Sequence, residues 1–217
     1  MPELRRIQGH SFWDAFGPTP IVLDLGANVG KFATEFVGAY PAARMLLVEG
    51  DPYLVSILER TFPNRERVEL CPALVGAQSL VSVPFHLCRV PEGNSVLRRF
   101  SETWSPGESR EIHVPMLSLA NLISATRGES VDLLKIDIEG SEWDLLEAFT
   151  EQQACQVRQL SVEFHDFLDP NLRSRTEGCI HRLAELGYQV RCRGTQRVHG
   201  SPYIDCLFFR SNGCAMG

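Results

Sequence analysis

Lysine is almost absent from this 217-residue chain: Lys31 and Lys135 are the only two, and arginine carries the rest of the positive charge. The seven cysteines (71, 88, 155, 179, 192, 206 and 214) include no C-x-x-C pair. Odd in number and scattered, they argue against a structural zinc site or a disulfide frame and predict reduced thiols in a cytoplasmic protein. No run approaches the roughly 20 apolar residues that span a bilayer. The opening Met-Pro-Glu-Leu-Arg-Arg lacks a signal peptide's apolar stretch, so a membrane partner is not expected. Cys214 stands fourth from the end, but glycine is not a usual last residue of a prenylation signal, and the tail reads as frayed. An excess of positive charge is lacking too. The net charge of -6 argues against a nucleic-acid footprint.

What is present is an ordinary globular composition, 44% hydrophobic and 22% charged, in a length that suits one domain over 1–217. Strand-like and helix-like segments alternate, the pattern of a parallel sheet covered on both faces. Strands are expected at 21–25, 44–48, 68–75, 131–136 and 159–164. Helices are expected at 29–38, 52–61, 118–126, 141–149 and 172–186. Asp51 is placed as N-cap with Pro52 at the first helical position. An added edge strand at 79–87 tolerates Pro84, another strand lies near 111–116, and an antiparallel pair at 188–193 and 203–209 closes the chain. The stretch 89–110, rich in Pro, Gly, Ser and charge, breaks the regularity and reads as a lid or acceptor loop.

The most informative segment is Ile-Val-Leu-Asp-Leu-Gly-Ala-Asn-Val-Gly at 21–30. A strand running into a glycine turn and a helix N-terminus is where an α/β sheet binds a nucleotide-like ligand. The glycines are spaced Gly26-x-x-x-Gly30, unlike the G-x-G-x-x-G of a pyrophosphate cradle, and Asp24 would repel a diphosphate. A cofactor with a cationic head and no phosphate, such as S-adenosylmethionine, suits the turn better. Glu49, after the second strand, is the candidate acceptor for both ribose hydroxyls. Ala73 and Leu74 are small and apolar enough to pack on an adenine face.

Farther on, Lys135, Asp137 and Glu139 alternate onto one side of the chain, as do Glu163 and His165. Charges facing one way at a strand end are expensive unless they meet one another or a ligand. If the strands carrying them are neighbours, Asp137 or Glu139 approaches Glu163 or His165. The base candidates are then Glu139, Asp137 and His165, with Lys135 tuning an acid or binding the acceptor; Asp137 can instead hold the cofactor's ammonium.

Asp-Leu-Gly-Ala-Asn-Val-Gly, Val-Glu-Gly-Asp-Pro, Leu-Lys-Ile-Asp-Ile-Glu-Gly-Ser-Glu and Val-Glu-Phe-His together resemble the FkbM-type family of S-adenosylmethionine-dependent methyltransferases, over about residues 20–210. Asn94-Ser95 resembles a Ser-containing segment of that family, whereas Leu117-Ser118 departs from its usual Leu-Asp. The resemblance implies a class I methyltransferase (Rossmann-like) three-layer sandwich. Its sheet is mostly parallel and seven-stranded, ordered 3-2-1-4-5-7-6 with strand 7 antiparallel. It also implies O-methylation of a hydroxyl on a sugar, polyketide or other small molecule. The expected cofactor contacts are Asp24, Gly26, Ala27, Asn28, Gly30, Glu49, Gly50, Ala73, Leu74 and Asp137, and the expected catalytic residues Lys135, Asp137, Glu139 and His165. The main reading needs no metal; a variant adds Mg²⁺ or Mn²⁺ on Asp137, Glu163 and His165. A small-molecule acceptor is the expected partner, and a homodimer is left open. The rival readings are a nucleotide-binding oxidoreductase and an inactive S-adenosylmethionine-binding module.

Overall fold

The computed structural model describes residues 2–193 and 200–210; the expectation for the tail with Cys214 falls outside them. The chain opens with a hairpin, β1 (Leu4–Ile7) and β2 (His10–Trp13), and continues through β3 (Ile21–Leu25), α1 (Lys31–Ala39), β4 (Arg44–Glu49), α2 (Pro52–Thr61), β5 (Val68–Pro72), β6 (Leu74–Gly76) and β7 (Leu80–Leu87). Then follow α3 (Arg98–Trp104), β8 (Arg110–Ser118), α4 (Leu119–Ser124), β9 (Leu133–Ile136), α5 (Glu142–Glu147), α6 (Glu151–Gln156), β10 (Gln159–Val162), α7 (Arg173–Glu185), β11 (Gln189–Arg193) and β12 (Asp205–Phe209).

The main sheet has seven strands in the order β11-β12-β10-β9-β3-β4-β5. Strands β5, β4, β3, β9 and β10 run parallel, and β12 is antiparallel to both of its neighbours. Alternation divides the apolar side chains between two faces. Val22, Met45, Leu47 and Leu133 meet Phe32 and Phe36 of α1, Leu58 of α2 and Phe12 of the hairpin. Leu23, Leu25, Leu134 and Ile136 meet α4, α5 and α7 through Leu122, Trp143, Leu146 and Leu183. Both faces are covered, as a parallel sheet requires. Local signals place the helix starts. Asp51 accepts the Tyr53 N–H (2.8 Å) with Pro52 at the first position. Among the described residues no helix is long and apolar enough to cross a membrane.

Several expectations need correction. The strand expected at 68–75 breaks in two: Pro72 has no N–H to continue the ladder, and β6 leaves to join a second sheet ordered β6-β8-β7. The stretch 89–110 is not wholly irregular: α3 forms within it and Phe100 is buried edge-on against Trp143, centroids 6.2 Å apart, while Pro91, Glu92, Asn94 and Val96 line a cleft shared with Glu49 and Asp137. The reduced-thiol expectation fails for one pair. Cys192 and Cys206 face each other across β11 and β12, Cα atoms 4.1 Å apart, and are joined as a disulfide. Only the antiparallel register brings them together.

The N-terminal hairpin adds to the expected elements. Gln8 and Gly9 both have positive φ (45° and 90°), the two-residue turn that suits a twisted hairpin. Asp205 ties the hairpin down, accepting from the Ser11 N–H (3.1 Å), the Ser11 hydroxyl (2.7 Å) and Arg6 Nε (3.2 Å). The Gln159 side chain also exchanges two hydrogen bonds with the Trp13 backbone, at 2.7 and 2.9 Å.

Candidate active site

The carboxyl ends of β3, β4 and β9 open on one cleft, and that of β10 lies beside β9. On its β3–β4 side the backbone does the organising. The N–H groups of Gly26 and Ala27 both donate to the Val48 carbonyl, at 3.0 and 3.1 Å. Gly26 has φ +77°, and a Cβ there would lie 1.8 Å from the Asp137 carbonyl oxygen, so only glycine fits. Glu49 is buried, with Oε2 accepting from the Asn28 N–H and Oε1 from the Asp51 N–H, both at 2.8 Å. A carboxylate has about four acceptor positions. Two are used, and the rest serve the cleft that Glu49 lines beside Gly26, Asn28, Gly50 and Asp137. Ala73, Leu74 and Phe85 give this cleft an apolar wall. Burial pushes the Glu49 carboxyl up, partly countered by its two backbone donors.

Across Asp137 the arrangement changes. His165 is buried, and its Nδ1 stands 3.2 Å from Glu142 Oε1, which also accepts the His165 backbone N–H (2.9 Å). Its Nε2 faces the cleft group, 3.3 Å from Glu139 Oε2, 3.7 Å from Asp137 Oδ1 and 3.9 Å from Glu163 Oε1. The parallel pairing of β9 and β10 therefore unites the expected residues Asp137, Glu139, Glu163 and His165. Burial opposes a charge on His165, but Glu139 and Glu142 hold its pKa well above the usual imidazole value. Burial likewise raises Glu163, and the neighbouring Asp137 charge adds to it, bringing its carboxyl to about 7. Asp137 moves the other way: despite burial, Lys135, His10 and His165 hold it well below the carboxylate range.

Neither Lys135 nor Asp24 lines the Glu49 cleft, while Lys135 lines the neighbouring polar recess with His10 and Asp137. They are directly opposite on paired strands β9 and β3, both buried, with Nζ 3.0 Å from Asp24 Oδ1. Lys135 also donates to the Gly26 carbonyl (2.7 Å) and reaches Asp137 Oδ2 at 3.5 Å. The pair braces the turn from beneath. Burial alone would lower the Lys135 pKa, yet Asp24 and Asp137 raise it, so the ammonium stays charged. Gly30 (φ +81°) caps α1 against Leu58 and Phe62, while Ala27 lines a neighbouring polar recess with His10 and Lys31.

Sequence reasoning missed His10. Its Nε2 lies 3.5 Å from Asp137 Oδ2, and its Nδ1 is 3.4 Å from the Ser161 hydroxyl. The turn-forming Gln8-Gly9 signalled a hairpin, but nothing local showed where the hairpin would dock. The Asn94-Ser95 segment also joins the site: Asn94 Nδ2 donates to Asp51 Oδ2 (2.9 Å), and the Ser95 hydroxyl donates to the Glu139 carbonyl.

A mostly parallel seven-stranded sheet with this glycine turn and an acidic carboxyl end has the form of a class I methyltransferase. The methyltransferase FkbM domain matches residues 24–190, and the chain belongs to that family. It is similar to the AMB antimetabolite synthetase AmbE of Pseudomonas aeruginosa, 23% identical over 224 residues, covering 89% of this chain and 10% of the relative. It is also similar to methyltransferase sdnD of Sordaria araneosa, 27% identical over 170 residues and 66% of each chain. The chain thus spans from 10% to 66% of the length of these two relatives. Among solved structures, the methyltransferase FkbM of Methylobacillus flagellatus superposes with TM-score 0.55 at 16% identity, over 89% of this chain and 44% of that one.

Proposed function

We propose that this chain transfers a methyl group from S-adenosylmethionine to a hydroxyl oxygen of a small molecule. The observation that carries this reading is the placement of a Glu49 cleft and a proton-handling cluster on opposite sides of Asp137. Counted from β3, the sheet order supports the class I arrangement 3-2-1-4-5-7-6. One relative is named an antimetabolite synthetase, which supports a small-molecule acceptor.

The residues fit the cofactor. Glu49 has acceptor capacity left for ribose hydroxyls, and the glycine at 26 lets the turn pack on the Asp137 backbone at the edge of the cleft. Ala73, Leu74 and Phe85 offer an apolar wall for adenine. Asp137, at the edge of this cleft, stays ionised beside Lys135 and two imidazoles. When bound, S-adenosylmethionine supplies an electrophilic methyl group on a sulfonium. The chain's own task is to orient the acceptor and take its hydroxyl proton. Glu163 does the latter. It stands beside His165 with a side chain 28% exposed, against 17% for Glu139, and so is the more accessible carboxylate. His165, fixed by Glu142 behind it, orients both acids. Lys135 is a positioning residue that holds the Gly26 turn.

The family assignment sets the oxidoreductase reading aside, leaving the inactive binding module as the rival. Incubation with methyl-labelled S-adenosylmethionine and a panel of hydroxylated sugars, polyketide-like polyols and amines separates the two. A methyl ether is the expected product, and Glu163→Gln should form it at least about tenfold more slowly. Label on nitrogen or carbon alone would overturn the O-directed reading. No transfer across the panel would favour the module.

A further inference from the structure

The cluster around His165 has features that proton transfer does not require. Glu139 Oε2 is buried without a hydrogen-bond partner. Its nearest cationic atom is His165 Nε2 at 3.3 Å, and the same nitrogen lies 3.7 Å from Asp137 Oδ1. Both separations exceed the usual hydrogen bond. They lie near the edges of a coordination polyhedron, where ~2.1 Å bonds put adjacent donors roughly 3.0–3.4 Å apart. One donor atom each from Asp137, Glu139 and His165 falls within 4.8 Å of the others.

Two of these donors, His165 and Asp137, are also held from behind, as metal ligands commonly are. Glu142 takes the Nδ1 side of His165, leaving Nε2 turned inward. Lys135 and His10 both stand 3.5 Å from Asp137 Oδ2, leaving Oδ1 toward His165. Ser95 hydrogen-bonds the Glu139 carbonyl, and Glu139 keeps a left-handed backbone (φ +47°), rare for a residue with a side chain. An unpartnered carboxylate oxygen and an inward imidazole braced by Glu142 form a mixed oxygen and nitrogen donor set.

We propose that Asp137, Glu139 and His165 bind one divalent cation of the Mn²⁺ type, with the remaining coordination positions open to the acceptor's hydroxyl oxygen and water. One imidazole and two carboxylates suit such a borderline cation better than the all-oxygen preference of Mg²⁺. Bound there, the cation lowers the pKa of the acceptor hydroxyl, whose proton passes to Glu163. This deepens the methyl-transfer reading and rests on it.

The test is a titration of the full chain, stripped with chelator, with MnCl₂ while the electron paramagnetic resonance signal of free Mn²⁺ is followed. S-adenosylhomocysteine binding and thermal melting are measured on the same preparations. One equivalent of Mn²⁺ should bind, and Glu139→Gln should weaken it by at least about tenfold while melting and S-adenosylhomocysteine binding persist. If Glu139→Gln does not fold, His165→Gln carries the same comparison. No stoichiometric Mn²⁺ binding, or binding unchanged in the folded variant, overturns the metal site. Intact S-adenosylhomocysteine binding in that case leaves the methyltransferase reading standing. Its absence, with Mn²⁺ bound, would remove that reading instead.

Discussion

The two sides of the cleft handle buried charge in opposite ways. On the β3–β4 side, Glu49 is answered by two peptide N–H groups at 2.8 Å, fixed by the turn and by the start of α2. On the β9–β10 side, Asp137, Glu139 and Glu163 face one imidazole nitrogen at 3.3 to 3.9 Å and depend on side chains for balance. Peptide donors cannot move or titrate, so the first side is a rigid mould for a ligand. Charges balanced only by other charges respond to whatever enters. That is the property needed where a proton changes hands.

Three substitutions sharpen this contrast. The largest effect should come from Gly26→Ala, because the new Cβ would meet the Asp137 carbonyl at 1.8 Å, in a backbone that disfavours side chains. A loss of about 4 kcal/mol or more is expected, read as a fall in Tm of roughly 8 °C or more by calorimetry. A melt close to that of the unsubstituted chain would show that the turn is not the rigid side. Lys135→Met removes the cation between Asp24 and Asp137, leaving buried Asp24 without its ion-pair partner and Asp137 with only the two imidazoles, a loss of about 3 kcal/mol. Urea titration measures it, and an unchanged midpoint would mean the pair does not brace the turn. The smallest effect belongs to Asp205→Asn. It weakens the hairpin anchor by about 1 kcal/mol, seen as faster amide exchange at Ser11 while the β3 amides stay protected.

Much of the first side could be read in the chain because its causes are local. Ile21–Leu25 is an apolar run stopped by Gly26, and Asp51-Pro52 is a helix start wherever it occurs. The meeting of Asp137 and Glu139 with Glu163 and His165 was also legible, since parallel neighbours put their carboxyl ends together. What escaped depends on distant pairing. Asp24 is expected as a cofactor contact, and no local signal shows that it lies buried opposite Lys135 on the adjacent strand. His10 reaches the site through a hairpin whose anchor, Asp205, lies 194 residues from Ser11. Cys192 and Cys206 meet only through the register of β11 and β12, and Pro72 sends the chain into a second sheet whose Phe85 helps wall the cleft.

The central claim is that the Glu49 side of this cleft binds S-adenosylmethionine. Calorimetric titration with S-adenosylmethionine and S-adenosylhomocysteine, on the unsubstituted chain and on Glu49→Gln, tests it most directly. Micromolar binding that weakens about 30-fold in the variant, the equivalent of about 2 kcal/mol for a charged acceptor, is the expected result. No binding by the unsubstituted chain, or equal binding by both proteins, would contradict it.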